Sequence, residues 1–334
     1  MTQYDVYGLG NALVDMEYDV DDGFLRRQRI DRGHMTLVDE PRLDSLLREL
    51  DELTPKRSSG GSAANSLIAA QAFGAKTFYS CKVADDETGH FFVADLRAIG
   101  VATNRHLRRT AGKSGRCLVL ITPDAERSMS TFLGISDQLG HEEIDEAALR
   151  DSHYLYVEGF LSSSPTATEA AVQCRALARD HGVKSVMSLS DASMVRLFRE
   201  RLLAMMGNGV DHLFCNEEEA LDWAKTDRLD VAVNELKDIA RSVNVTLGAR
   251  GSLVVDGRER HAVAGFPVQP IDTNGAGDIY AGACLAGWAT GMPAQVAARF
   301  GNFAAAKLIT QYGARLASAS EYREVLDAFR RLPH

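Results

Sequence analysis

Short runs rich in β-branched and aromatic residues recur along this chain, and between them the apolar residues shift to a spacing of three to four. The runs are YDVYGLG, TFYSCKV, CLVLIT, YLYVE, VKSVMSL, DHLFCN, VNVTL and SLVVD. Strands that alternate with helices have few ways to bury both kinds of element, because parallel strands need long crossovers and the crossover helices then cover the sheet's faces. The pattern therefore predicts an α/β fold with a mostly parallel central sheet flanked by helices. The C-terminal third ends as three consecutive helical patterns, 275–289, 293–311 and 321–331, with Pro293 suited to a helix start. At 334 residues, 45% hydrophobic and 25% charged, the chain is long enough for one large domain, and no repeat or low-complexity linker divides it. One domain spanning 1–334 is expected.

Two regions break the alternation. Residues 16–20 with 35–38, and 116–122 with 127–133, read as paired strands, the latter two joined through a turn at Pro123-Asp124. Segments of about 16–38 and 111–134 are thus expected to form a small β lid on the main sheet. A lid matters wherever water competes with another acceptor for a reactive group.

Net charge and cysteine usage narrow the function. A net charge of −9 lacks the basic footprint of a nucleic-acid binder, so no nucleic-acid partner is expected. A nucleotide remains compatible, since Mg²⁺ and local backbone amides neutralise phosphates regardless of net charge. The N-terminal MTQYDVYGLG has no basic segment followed by an apolar core, and no run reaches the eighteen or so apolar residues of a membrane span, which points to a cytoplasmic, membrane-free protein. Cys81, Cys117, Cys174, Cys215 and Cys284 are far apart and mostly embedded in apolar sequence, as buried thiols are.

The richest motif is Asp272-Thr273-Asn274-Gly275-Ala276-Gly277-Asp278, which runs into an apolar helix. Small residues let the backbone approach a ligand, and the amides opening the helix make a seat for an anion. Asp278, in the first turn, is positioned to act as a base beside that seat, the pairing that phosphoryl transfer to an alcohol requires. The same residues also read as a plain glycine-rich turn. Near the N-terminus, Asn11 and Asp15 stand four apart after the first strand, where a carboxylate could accept sugar hydroxyls, although turn residues would look alike. In Ser58-Ser59-Gly60-Gly61-Ser62-Ala63-Ala64-Asn65 the two glycines allow close backbone approach to a ligand, Ser62 is a candidate helix cap and Asn65 would face the site. Asn216 and Glu219, at a strand-to-helix junction, could hold waters of an Mg²⁺ ion or serve only the helix dipole. Thr246, Gly248, Arg250 and Gly251, between two strands, could receive phosphates or form a hairpin turn. No GxxxxGK[ST], HExxH or GxSxG pattern occurs.

Taken in this order, these motifs resemble the ribokinase-like (PfkB) family of carbohydrate and nucleoside kinases over essentially the whole chain. DTNGAGD is similar to the family's C-terminal signature and GGSAAN to its N-terminal one. The resemblance implies a three-layer α/β/α ribokinase-like sandwich with a small β-strand lid, and transfer of the γ-phosphoryl of MgATP to a hydroxymethyl group. It implies Asp278 as base, Gly275, Ala276 and Gly277 as anion hole, and Asn11, Asp15, Gly60, Gly61, Asn65 and Glu158 on the substrate side. Asn216, Thr246, Gly248, Gly251 and Asn302 fall to the nucleotide side, joined by Arg250 on its residue chemistry alone, with Glu219 acting on Mg²⁺ through water. A monovalent cation such as K⁺ and a homodimer through the lid are left open. GNALVD, Ser130-Thr131-Phe132-Leu133-Gly134 and Asn216-Glu217-Glu218-Glu219-Ala220 resemble the adenosine-kinase-like branch, whereas Cys284 departs from the larger apolar residue usual there and Arg250 stands where the family varies. A nucleoside acceptor is expected. The alternatives are a ribokinase- or fructokinase-type sugar kinase and a non-catalytic nucleoside- or sugar-binding regulator on the same fold.

Overall fold

The computed structural model describes residues 2–104, 110–124 and 126–333, so that Ala125, inside the second expected lid segment, lies outside the described residues. Fourteen strands among these residues form two sheets. In chain order they are β1 (Tyr4–Leu9), β2 (Leu13–Asp19), β3 (Met35–Leu37), β4 (Lys56–Gly60), β5 (Thr77–Ser80), β6 (Ala102–Thr103), β7 (Gly115–Ile121), β8 (Arg127–Phe132), β9 (Ser152–Glu158), β10 (Lys184–Ser188), β11 (Val210–Asn216), β12 (Ala240–Thr246), β13 (Ser252–Asp256) and β14 (Glu259–Val263). The large sheet has the order β14-β13-β12-β11-β10-β9-β1-β5-β6 and is parallel except at β12-β13 and β13-β14. The smaller sheet has the order β3-β8-β7-β2-β4.

The helices are α1 (Asp22–Gln28), α2 (Glu40–Glu49), α3 (Ser62–Ala72), α4 (Glu87–Ile99), α5 (Glu146–Arg150), α6 (Pro165–Asp180), α7 (Ala192–Met206), α8 (Glu217–Ala224), α9 (Leu229–Leu236), α10 (Ala276–Ala289), α11 (Ala294–Leu308) and α12 (Ala319–Arg330). One core joins α3, α4, α10, α11 and α12 to one face of the large sheet, and a second joins α5 to α9 to the other. This is the mostly parallel sheet flanked by helices that the alternation predicts, in the three layers that the resemblance implies. α10 is apolar all round, as a helix buried between neighbours must be. It approaches α3 closely enough that a Cβ on Gly282 would fall 2.5 Å from the Ser66 carbonyl oxygen. That proximity brings the first turns of α3 and α10 together.

The smaller sheet corrects two expectations. Residues 16–20 and 35–38 do not pair: β2 lies between β4 and β7, while β3 sits at the edge beside β8. CLVLIT belongs to β7 and hence to this sheet, and β4 joins it from outside both expected segments. Period-2 patterning identifies a strand but carries no information about its partner. One face of this sheet packs on α1 and α2 through Tyr18, Phe24, Leu43, Leu46, Leu118 and Leu120. The alternate residues, among them Leu13, Asp15, Cys117, Val119, Met129 and Thr131, face a cavity.

Candidate active site

A cavity of about 410 Å³ lies between the two sheets. Its floor is built from the carboxyl ends of the parallel strands, through Asn11 after β1, Glu158 of β9, Ser188 of β10, Asn216 of β11 and Thr246 of β12, with Gly275, Ala276, Gly277 and Asp278 beside them. Carboxyl ends are where open α/β sheets bind ligands, because the strand-to-helix turns there expose helix amino termini.

Asp278 is the third residue of α10. Its Oδ1 accepts a 2.7 Å bond from the Ser62 hydroxyl and its Oδ2 a 3.1 Å bond from Asn65 Nδ2. Burial raises its pKa, and those two donors work against the rise. The sequence expectation of Ser62 as a cap is therefore revised. Gly61 caps α3 without a side-chain bond, and Ser62 spends its hydroxyl on Asp278. No sequence signal separates these roles, since a serine at a helix start serves both.

Gly275 caps α10 at φ 74°, and a Cβ on it would lie 2.3 Å from the Ala314 carbonyl oxygen, so glycine is required there on two counts. The Ala276 amide donates to the Thr273 carbonyl. Those of Gly277 and Asp278 find no acceptor among the described residues, as the opening amides of a helix leave room for. Around Gly277 a Cβ would meet nothing within 4 Å. Two free amides and open space at a helix start fit a phosphate group.

Asp15 lies within β2, on the cavity face of the smaller sheet, and not at the end of the first strand. It is half-buried and has no hydrogen-bond donor among the described residues. Burial raises its pKa to about 7, with Arg315 lowering and Glu17 and Asp278 raising it. Gly60 does not line the cavity. A Cβ there would strike the Asp15 carboxylate at 2.4 Å, so the glycine makes room for Asp15 and not for a ligand. Gly61, at φ 97°, packs on the Asn11 carbonyl.

Glu158 is buried, and its two oxygens accept the Asn11 and Ala63 amides at 2.7 Å each. It brackets the β1–β2 turn to the start of α3, and burial lifts its pKa to about 7 against those two amides. Asn11 is held in turn by Ser136, whose hydroxyl donates to its Oδ1 at 3.2 Å, and by the Tyr79 hydroxyl on its carbonyl at 2.8 Å.

On the far side, Asn216 and Glu219 form a reciprocal capping box. The Glu219 amide donates to Asn216 Oδ1 at 2.8 Å, while Asn216 Nδ2 and its amide donate to the Glu219 carboxylate at 2.7 and 3.1 Å. Burial raises Glu219 to about 7. Both residues line the cavity, as does Thr246. Gly248, Arg250, Gly251 and Asn302 are not among its lining residues. Arg250 is exposed and paired with Glu217, and Asn302 donates to the Val263 and Ala264 carbonyls at 3.1 and 3.3 Å.

Sequence reasoning also missed Arg127 of β8. It bonds Glu17 at 3.1 Å and pairs with Asp272 at 2.9 Å, joining the smaller sheet to the loop ahead of α10. Asp272 also accepts the Asn274 and Gly313 amides at 3.0 and 2.8 Å, which sets the course of that loop.

Comparison with known proteins agrees with this geometry. The family model described as pfkB family carbohydrate kinase matches residues 48–321. The adenosine kinase of Saccharomyces cerevisiae is 28% identical over 91% of this chain and 94% of its own length. Among solved structures, the adenosine kinase from Sinorhizobium meliloti is 35% identical with a TM-score of 0.88, covering 98% of this chain and 99% of the other. A probable sugar kinase from Rhizobium etli is 33% identical with a TM-score of 0.89 and covers 99% of each chain.

Proposed function

The chain belongs to the pfkB family of carbohydrate kinases and is an adenosine-kinase-like phosphotransferase of that family, and we propose that it phosphorylates a hydroxymethyl group of an adenosine-like nucleoside, using MgATP. The observation that carries this reading is the pair of carboxylates in one cavity: Asp278, oriented by two donors beside free helix amides, and Asp15, with no donor among the described residues. A base and an acceptor-binding group in one cavity are what transfer to an alcohol requires.

MgATP, when bound, supplies the phosphoryl group and part of the charge that neutralises it. The chain's own residues do the rest. Asp278 accepts the hydroxyl proton on a carboxylate oxygen, held at its angle by Ser62 and Asn65. The Gly277 and Asp278 amides stabilise charge that grows at the transferred group, in a site where pre-aligned donors cost no reorganisation. Asp15 accepts acceptor hydroxyls through charge-assisted bonds, and Asn11 and Asn65 add polar atoms beside it. Asn216 and Glu219 would meet the Mg²⁺–phosphate end through water, which suits an ion that keeps several waters and takes only one or two carboxylates.

Met35, Leu37, Val119, Met129, Leu133 and Phe160 give the cavity an apolar wall that suits a planar base. A sugar acceptor is the second reading, supported by the likeness to the probable sugar kinase from Rhizobium etli. ATP consumption over a panel of nucleosides, pentoses and ketohexoses separates the two. Preference for adenosine supports the first reading, preference for a free sugar replaces it with the second, and binding without turnover on every member overturns both.

A further inference from the structure

Asp95 lies on α4 and lines none of the cavity that holds Asp278 and Asp15. Its Oδ2 nevertheless gathers two distant segments. The Ser59 amide donates to it at 3.0 Å, the Ser59 hydroxyl donates as well, and Arg315 Nη2 donates at 3.1 Å. Arg315 Nη1 closes the triangle on Ser59 Oγ at 3.2 Å. Burial pushes the Asp95 carboxyl up, but Ser59 and Arg315 outweigh it and hold the group below the usual carboxylate range.

Each segment leads to one half of the candidate site. Ser59 is the penultimate residue of β4, which passes through Gly60 and Gly61 into the first turn of α3. That turn supplies Ser62 and Asn65, the two donors to Asp278. Arg315 follows Ala314, the residue whose backbone seats Gly275 at the start of α10. The two halves therefore meet twice, once at Asp278 and once behind it at Asp95.

We infer that Asp95 is a positioning residue that, through Ser59 and Arg315, holds the base-orienting turn of α3 and the Gly275–Gly277 turn of α10 in register. The effect on catalysis rests on the kinase reading above; the effect on the two turns does not. A displacement of about an ångström far from the chemistry lowers rates by up to ~10²-fold.

The experiment compares full-length Asp95→Ala, Arg315→Met, their double variant and Arg315→Lys with the unmutated chain. Ligand-free hydrogen exchange is followed over 59–66 and 273–280, and kcat and KM are measured with the acceptor that the unmutated chain uses best. Asp95→Ala should speed exchange in both segments and leave β9 to β11 unchanged. It should lower kcat on the order of 10- to 100-fold with acceptor KM moving only a few-fold. The double variant should lose no more than Asp95→Ala, and Arg315→Lys should recover part of the Arg315→Met loss. If Asp95→Ala does not fold, Asp95→Asn carries the same comparison. Exchange that rises only near Ser59 or throughout the chain overturns the inference, as does additivity in the double variant. Absence of turnover in the unmutated chain would count against the kinase reading alone, and the exchange pattern would still decide the role of Asp95.

Discussion

Asp15 and Asp278 share a cavity and are both raised by burial, yet their surroundings differ: among the described residues Asp278 has two donors and Asp15 none. For Asp15 the folded value is about 7, above the ~3.9 of an unfolded chain. A raised carboxylate contributes stability below its unfolded value, and that contribution is lost as pH rises through the folded value. Asp15→Asn removes the buried charge, so its melting temperature should gain on that of the unmutated chain between pH 5 and pH 8. Glu158 and Glu219 titrate in both proteins, so the difference reports on Asp15 and its coupling to Asp278 and Glu17. A melting-temperature difference that stays constant over this range would show that Asp15 does not titrate there. Asp278, Asp15 and Asn65, the residues proposed to carry the chemistry, each sit in a short motif that the sequence singles out, and the fold brings all three to one cavity. The bonds of Glu158 could not be read from the sequence, since its partners Asn11 and Ala63 are 147 and 95 residues away and only the fold brings them to it.

The first turn of α10 is the element on which the proposed phosphate seat depends, and its two glycines have different causes. Gly275 is demanded by the fold, through a positive φ and the Ala314 backbone, whereas Gly277 faces open space. Gly275→Ala should therefore destabilise the whole protein, by more than the ~1 kcal/mol that alanine gains at a compatible position. Gly277→Ala should leave the melting temperature nearly unchanged and weaken MgATP binding, because its methyl group enters the space left for the ligand. Calorimetric unfolding with nucleotide titration checks both, and a Gly277→Ala protein that binds MgATP normally would move the phosphate seat elsewhere. Most strands of the large sheet and the last three helices were legible, since the change from period 2 to period 3.6 identifies them locally, whereas β4, read as a glycine cluster, and β14 were not. Strand partners were not, and β2 and β3 show why: each reads as a strand, but its neighbour is chosen by long-range burial that no local window contains.

At the scale of the molecule, two sheets meet over one cavity, and Arg127 ties the smaller sheet to Asp272 at the mouth of the α10 turn. The smaller sheet has its own small core with α1 and α2, so closure over the cavity should be a movement of this unit as a body, with its edge strand β3 gaining most. Acceptor and a non-hydrolysable MgATP analogue together should slow hydrogen exchange in 35–37 and 127–132 while leaving 154–158 and 212–215 unchanged. Unaltered exchange in the first two segments would mean that the sheet does not act as a lid. The central claim, phosphoryl transfer with Asp278 as base, is tested most directly by single-turnover transfer from radiolabelled ATP to the preferred acceptor, comparing the unmutated chain with Asp278→Asn at saturating concentrations of both substrates. The substitution should lower the transfer rate by ~10²-fold or more with both substrates still bound, and transfer at an unaltered rate would remove Asp278 from the mechanism.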